Sequence, residues 1–278
     1  MPLFLYVSGV LSQNVEKRRE KAFCDLFVPY LLFQVLVGIV ILVLTKSGGV
    51  LQNIFVPYLG AWYLLTLFIY RLVLPEVRKV RGVLVMGVLI TIITCLMTEL
   101  GNEFALKKTL GFFVYFIAGY FIGIPNKKMP LAISRIILVL LIIVIIFISW
   151  NTDWYDIALL VLTRNANAND FSSWYIAVVA YSIAFIGTTA VCYLVISAIP
   201  EKCVWLEKQG QDTMPMYLSH LILFMAIGYL VNKNNWVVTV CISILGICIS
   251  IIVFSQKWYR SIFKRVIDRI NKVFFKVD

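Results

Sequence analysis

Long apolar runs alternate along the chain with short polar turns, and the turns are rich in Lys and Arg. About eight of the runs approach the ~20 residues that an α-helix needs to cross roughly 30 Å of hydrocarbon. They cover about Cys24 to Leu44, Val56 to Leu74, Gly82 to Met97, Thr109 to Ile124, Leu131 to Trp150, Trp174 to Ile199, Thr213 to Val231 and Trp236 to Phe254. A further run, MPLFLYVSGVLSQ from Met1, turns polar after about eleven residues and amounts to half a span. It has no basic segment before it and no small-residue cleavage site, so it does not read as a signal peptide. None of the runs alternates residue by residue as a barrel strand does, so the pattern predicts helices. The expected fold class is all-α, a polytopic integral membrane bundle of about eight full spans plus the N-terminal half-span.

Within these spans a few positions predict local structure. Pro29 should distort its helix, because it lacks the N–H of the helical ladder. Gly119 and Gly123 form a small-xxx-small pair that would let another backbone approach closely. Leu131 to Trp150 is uniformly apolar and should face lipid. The polar segments Lys46 to Asn53 and Asn151 to Ser173 should be loops, the second flanked by Trp150, Trp154, Tyr155, Trp174 and Tyr175 in the manner of an interfacial belt.

Composition turns this pattern into a class. Hydrophobic residues make up 62% and charged residues 14%, and mean hydropathy is +0.93. A soluble domain would carry about 25% charged residues. The net charge of +11 raises nucleic acid as a partner, but the basic residues are spread between apolar runs, so no nucleic-acid role is expected. Topology explains them better. Strict alternation with the EKRREK turn (Glu16 to Lys21) in the cytoplasm puts about twenty of the 25 Lys and Arg on that side, leaving only Lys46, Lys107, Lys108, Arg164 and Lys233 outside. The C-terminus is then cytoplasmic. Met1 is then outside, so a preceding helix is expected. Residues 257–278 separate from the span region 1–256 as a basic amphipathic tail, with Tyr259, Ile262, Phe263, Val266, Ile270 and Phe274 at helical spacing among cations, suited to a membrane surface of lipid. Cys24, Cys95, Cys192, Cys203, Cys241 and Cys248 show no metal-ligand spacing and read as small buried hydrophobes, so no metal site is expected.

One residue stands out chemically. His220 is the only histidine in 278 residues and sits about seven residues, roughly 10 Å, inside an apolar helix. Polar groups at such depth are costly, and an imidazole titrates nearest physiological pH. Three roles stay open for it: lining a cavity, bonding between helices, or acting as a base. Tyr217, three residues earlier, shares its face.

Several stretches, in order, are similar to patterns of the acyltransferase 3 family of bacterial membrane enzymes, especially its fucose 4-O-acetylase-like branch. MPLFLYVSGVL resembles the family's second-span pattern, and VPYLLF at Val28 to Phe33 its I-P-Y segment. AWYLLTLFIYRL resembles W-F-L-x-x-L-F, KTLGFFVYFIAGYFIG resembles R-T-L-x-F-x-P-F-F-L-L-G-Y, and GQDTMPMYLSH resembles G-x-N-T-L-x-I-Y-L-x-H. Departures are Lys108 in place of Arg, which keeps the charge but loses the bidentate fork, Val114 in place of Pro, and Pro215 in the first turn of the histidine span.

The resemblance implies transfer of an acyl group, usually acetyl from acetyl-CoA, to a hydroxyl of a carbohydrate or envelope polymer, in the bacterial plasma membrane. Acetyl-CoA would be a co-substrate, with no resident cofactor. The family's first span carries the histidine thought to be catalytic, and the chain is expected to start at the second span, an N-terminally truncated form. By this reading His220 is the candidate catalytic residue of the chain as written. Trp62, Lys108 and Tyr217 are candidates for substrate binding, and Arg18, Arg19 and Lys21 for the CoA phosphates. Two alternatives are an inactive remnant of such an enzyme and a transporter or flippase. The latter would predict internal repeats and paired broken helices, and the sequence shows neither.

Overall fold

Each apolar run predicted to span holds a helix over most of its described residues, and the basic tail is a helix as well. The computed structural model describes residues 1–45, 56–100, 103–125, 128–149, 161–162, 168–200, 213–230, 236–254 and 256–274. Among them every regular element is a helix. By length and composition Phe23–Val43, Glu103–Ile122 and Trp174–Ala198 can cross a membrane, and shorter apolar helices occupy Val83–Leu96, Leu131–Val144, Met214–Met225 and Ile244–Phe254. The predicted loop Lys46 to Asn53, together with Trp150, Trp154 and Tyr155, lies outside the described residues.

Contacts divide the chain into two units, Met1–Glu20 with Thr66–Lys202 and Lys21–Leu65 with Cys203–Asp278. The first contains α1 (Pro2–Val10), α2 (Val15–Glu20), most of α4 (Trp62–Val77), α5 (Val83–Ile93), α6 (Leu106–Ile122), α7 (Leu131–Ser149) and α8 (Trp174–Ala198). The half-span α1 packs along α6, and glycine sets how close they come. A Cβ on Gly119 would run into the Tyr6 carbonyl, and one on Gly9 into the Phe116 carbonyl, so each backbone rests on the other. Gly123 does not share in this packing, contrary to the small-xxx-small expectation. It ends α6 at φ +71°, a left-handed conformation that glycine adopts without strain, and its carbonyl accepts the Tyr6 hydroxyl at 2.5 Å.

Buried polar groups also join α6 to α4. The Thr66 and Thr109 hydroxyls lie 2.9 Å apart, and Tyr70 donates its hydroxyl to the Thr109 carbonyl. The Tyr70 ring lies across those of Phe113 and Phe116, with centroids 5.6 and 5.0 Å away.

Chain alternation in this unit agrees with the charge pattern. At one end Arg78 pairs with Glu16 at 3.3 Å, Gln13 donates to the Tyr120 carbonyl at 2.9 Å, and the Met129 N–H reaches the Ser197 hydroxyl at 3.3 Å. The basic turns that the sequence assigned to one side are therefore gathered there. At the opposite end Cys95, Ala177 and Tyr181 pack together. The outward residues of α7, among them Ile136, Val139, Leu140 and Ile143, are exposed, as a lipid-facing helix requires.

The second unit contains α3 (Val28–Thr45), α9 (Thr213–Leu230), α10 (Trp236–Phe254) and α11 (Lys257–Phe274). The distortion expected at Pro29 takes the form of a π-helical turn, Phe23–Phe27, immediately before it, with the Val28 N–H reaching back to the Phe23 carbonyl. The wider turn accommodates the missing donor and the ring bulk of proline. Buried Gln34 holds the chain entering α4, donating to the Val56 carbonyl at 2.8 Å and accepting from the Tyr58 N–H at 3.1 Å. Gly246 of α10 faces Ile227 and Phe224 of α9.

Candidate functional site

Helix α9 carries the histidine, and its own backbone fixes the ring. Pro215 occupies the first turn, where no helical N–H is missed. One turn later Nδ1 of His220 lies 3.0 Å from the Met216 carbonyl oxygen. A carbonyl only accepts, so the bond assigns the proton of the neutral ring to Nδ1 and leaves the Nε2 lone pair available. That is the tautomer in which Nε2 can take a proton.

Around the ring the sequence spacing of three and four produces an aromatic row. Tyr217 lies 5.6 Å from His220 between centroids, and Phe224 lies 6.2 Å away on the following turn. Tyr63 of α4 meets Tyr217 edge-on at 5.7 Å. The Tyr217 hydroxyl donates to the Gly60 carbonyl at 2.6 Å. A Cβ on Gly60 would come within 2.9 Å of both the Tyr217 hydroxyl oxygen and Leu221, so glycine leaves the space that this bond needs. Trp62 is 8% exposed; the indole therefore sits within protein rather than on an open surface.

The first unit holds a cationic group where α6 begins. Phe104 and Ala105 are both left-handed, at φ 51° and 53°, conformations that cost energy in residues with a Cβ. They set the start of α6 so that Lys107 is 4% exposed while Lys108 is half-buried. The Asp170 carboxylate is close enough to Lys107 to act on it electrostatically. Both lysines are thus drawn in from solvent where α6 begins. Arg18 is half-buried, and Arg19 is exposed in α2, as is Lys21 just beyond it.

Of the candidate residues, Trp62, Tyr217, His220 and Lys21 belong to the second unit, and Lys108, Arg18 and Arg19 to the first. Tyr217 and His220 are in direct contact.

A family model described as an acyltransferase domain, of the acyltransferase 3 type, matches residues 1–255. The chain belongs to the acyltransferase 3 family. No curated protein and no solved structure matches it significantly.

Family membership makes this a membrane acyltransferase and sets the transporter reading aside. The stretches that resembled acyltransferase 3 patterns fall on α1, α3, α4, α6 and α9; residues 210–212 of the histidine stretch lie outside the described residues. Sequence reasoning on this acyltransferase passed over Gly60, Tyr63 and Lys107. The available signals were slight: the small pair Gly60–Ala61 before Trp62, a tyrosine beside that tryptophan, and a second lysine beside Lys108.

Proposed function

We propose that this acyltransferase moves an acetyl group from acetyl-CoA to a hydroxyl of a cell-surface polysaccharide or of its lipid-linked precursor, as in the fucose 4-O-acetylase-like branch. Its setting is the bacterial plasma membrane, with α11 on the cytoplasmic side. The acceptor hydroxyl attacks the thioester carbonyl carbon, the C–S bond breaks, and the hydroxyl proton leaves with the CoA sulfur through a base. The observation that carries the reading is the His220 ring within an acyltransferase domain, its Nδ1 engaged and its Nε2 lone pair available. A base of this kind is worth about 10²- to 10⁴-fold in rate.

In this reading Tyr217 holds the face that His220 shares, while Trp62 and Lys108 serve the acceptor. Arg18, Arg19 and Lys21 attract the CoA phosphates by their charge. The test uses membranes containing the full chain, radiolabelled acetyl-CoA and an acceptor polysaccharide. The expected result is label in the polymer with the wild type and at least about a hundredfold less with His220→Ala at equal membrane abundance. Undiminished labelling with His220→Ala would remove the histidine from the chemistry. Label absent from the polymer with the wild type, but present in lipid or another acceptor, would overturn the polysaccharide assignment.

A further inference from the structure

Helix α11 begins after the family match ends at residue 255. Its apolar arc is split lengthwise. Tyr259, Phe263, Ile267 and Ile270 are half-buried and turned toward the second unit, where α11 packs on α3, α9 and α10. Tyr259 also shares a hydrogen bond with Ser219, the residue next to His220. The other half of the arc is open: Trp258 is 57% exposed, Ile262 48%, Val266 41% and Val273 80%. At spacings of four and seven these side chains form a strip along one face of the helix.

The charges around that strip have one sign. Arg265 lies at its edge, Arg269 falls within its arc between Val266 and Val273, and Lys272 lies farther round; over the whole helix the six cations Lys257, Arg260, Lys264, Arg265, Arg269 and Lys272 are set against a single carboxylate, Asp268. The helix also starts three residues after the apolar α10 ends at Phe254, which brings Trp258 to the end of a hydrophobic segment, the depth at which indoles collect.

We propose that the strip Trp258, Ile262, Val266 and Val273 rests in the headgroup region of the membrane, with Arg265, Arg269 and Lys272 binding the phosphates of anionic phospholipid. Apolar side chains enter the acyl boundary while the arginine stems lie along it and hold their guanidinium groups at phosphate level. A leaflet of anionic lipid matches both the apolar character of the strip and the one sign of the charges around it.

The experiment compares two thiols on the same helix, Val266→Cys on the strip and Lys264→Cys on the polar face. The full chain is placed in nanodiscs of phosphatidylcholine alone or mixed with phosphatidylglycerol. A water-soluble maleimide reports exposure, and the unsubstituted protein supplies the background of native cysteines. Size-exclusion profiles matching the unsubstituted protein show that both variants fold. The expected result in phosphatidylglycerol discs is labelling of Val266→Cys about tenfold slower than Lys264→Cys, with the gap closing when Arg265→Glu and Arg269→Glu are added or salt is raised. Equal labelling of the two thiols in phosphatidylglycerol would overturn the proposal. So would protection of Val266→Cys that is indifferent to lipid charge and to the arginine substitutions, since protein would then be covering the strip.

Discussion

The Tyr217 hydroxyl donates to the backbone carbonyl of Gly60 at 2.6 Å, across 157 residues of sequence. The bond anchors the residue that stacks beside the only histidine, and it exists because position 60 has no side chain to occupy the space. Tyr217→Phe should cost about 0.5–1.5 kcal/mol, toward the lower end if lipid surrounds the pair. Gly60→Ala should act in the same direction by about 1 kcal/mol, through displacement of Tyr217 and Leu221. Thermal unfolding in detergent checks both, and a Tyr217→Phe protein as stable as wild type would show that the bond contributes nothing net.

The contact of α1 with α6 is backbone on backbone, so it should tolerate no added atom. Gly119→Ala would drive a methyl into the Tyr6 carbonyl and is expected to cost at least about 2 kcal/mol. Gly38→Ala, on α3 with nothing within 4 Å of the added carbon, should be neutral or gain up to about 1 kcal/mol from helix propensity. Yield of monodisperse protein and its melting temperature measure the contrast; equal behaviour would refute the packing argument.

Ala105 holds a left-handed conformation at φ 53°, where a Cβ costs about 1–2 kcal/mol. Ala105→Gly should therefore stabilise the protein by about 1 kcal/mol, less what is lost with a buried methyl. A fall in melting temperature would mean that the methyl's packing outweighs the backbone strain.

At the exposed end of α4, Glu76 accepts a hydrogen bond from Lys79 at 2.8 Å. That bond, with the lysine's charge, holds the Glu76 carboxyl below its ordinary pKa. A lowered folded-state value favours the folded protein above the ordinary glutamate range, near pH 4.3, and the contribution is lost as pH falls through the lower value. Glu76→Gln should leave stability at pH 7 almost unchanged and slightly flatten its decline on acidification, an effect that high salt suppresses. Melting curves from pH 7 to 3 in low and high salt test this.

Much of the architecture was legible because membrane helices are written into hydropathy. A backbone in hydrocarbon must satisfy its own hydrogen bonds, so each apolar run could only become a helix. The grouping of Arg78 with Glu16 follows the same logic, since charged turns lie at the ends of spans. Pro29 announced a distortion, although not that it would be a π-helical turn ahead of the proline. The histidine stood out by its rarity and depth.

What pattern alone could not resolve is which of two adjacent residues faces inward. Lys107 is buried and Lys108 half-buried, at a helix start preceded by two left-handed residues that no propensity predicts. Gly119 packs while Gly123 terminates, although both fit one motif. The sequence by itself determined the helical class, the apolar segments, the basic turns and the lone histidine, all of them consequences of composition and local period. Only the tertiary structure decided that Tyr217 binds Gly60, that His220 is held through Nδ1, and that half of α11's apolar arc stays open. The first and the last depend on contacts between residues far apart in the chain, which no local pattern encodes, and the His220 bond depends on a side-chain rotamer that the sequence does not specify.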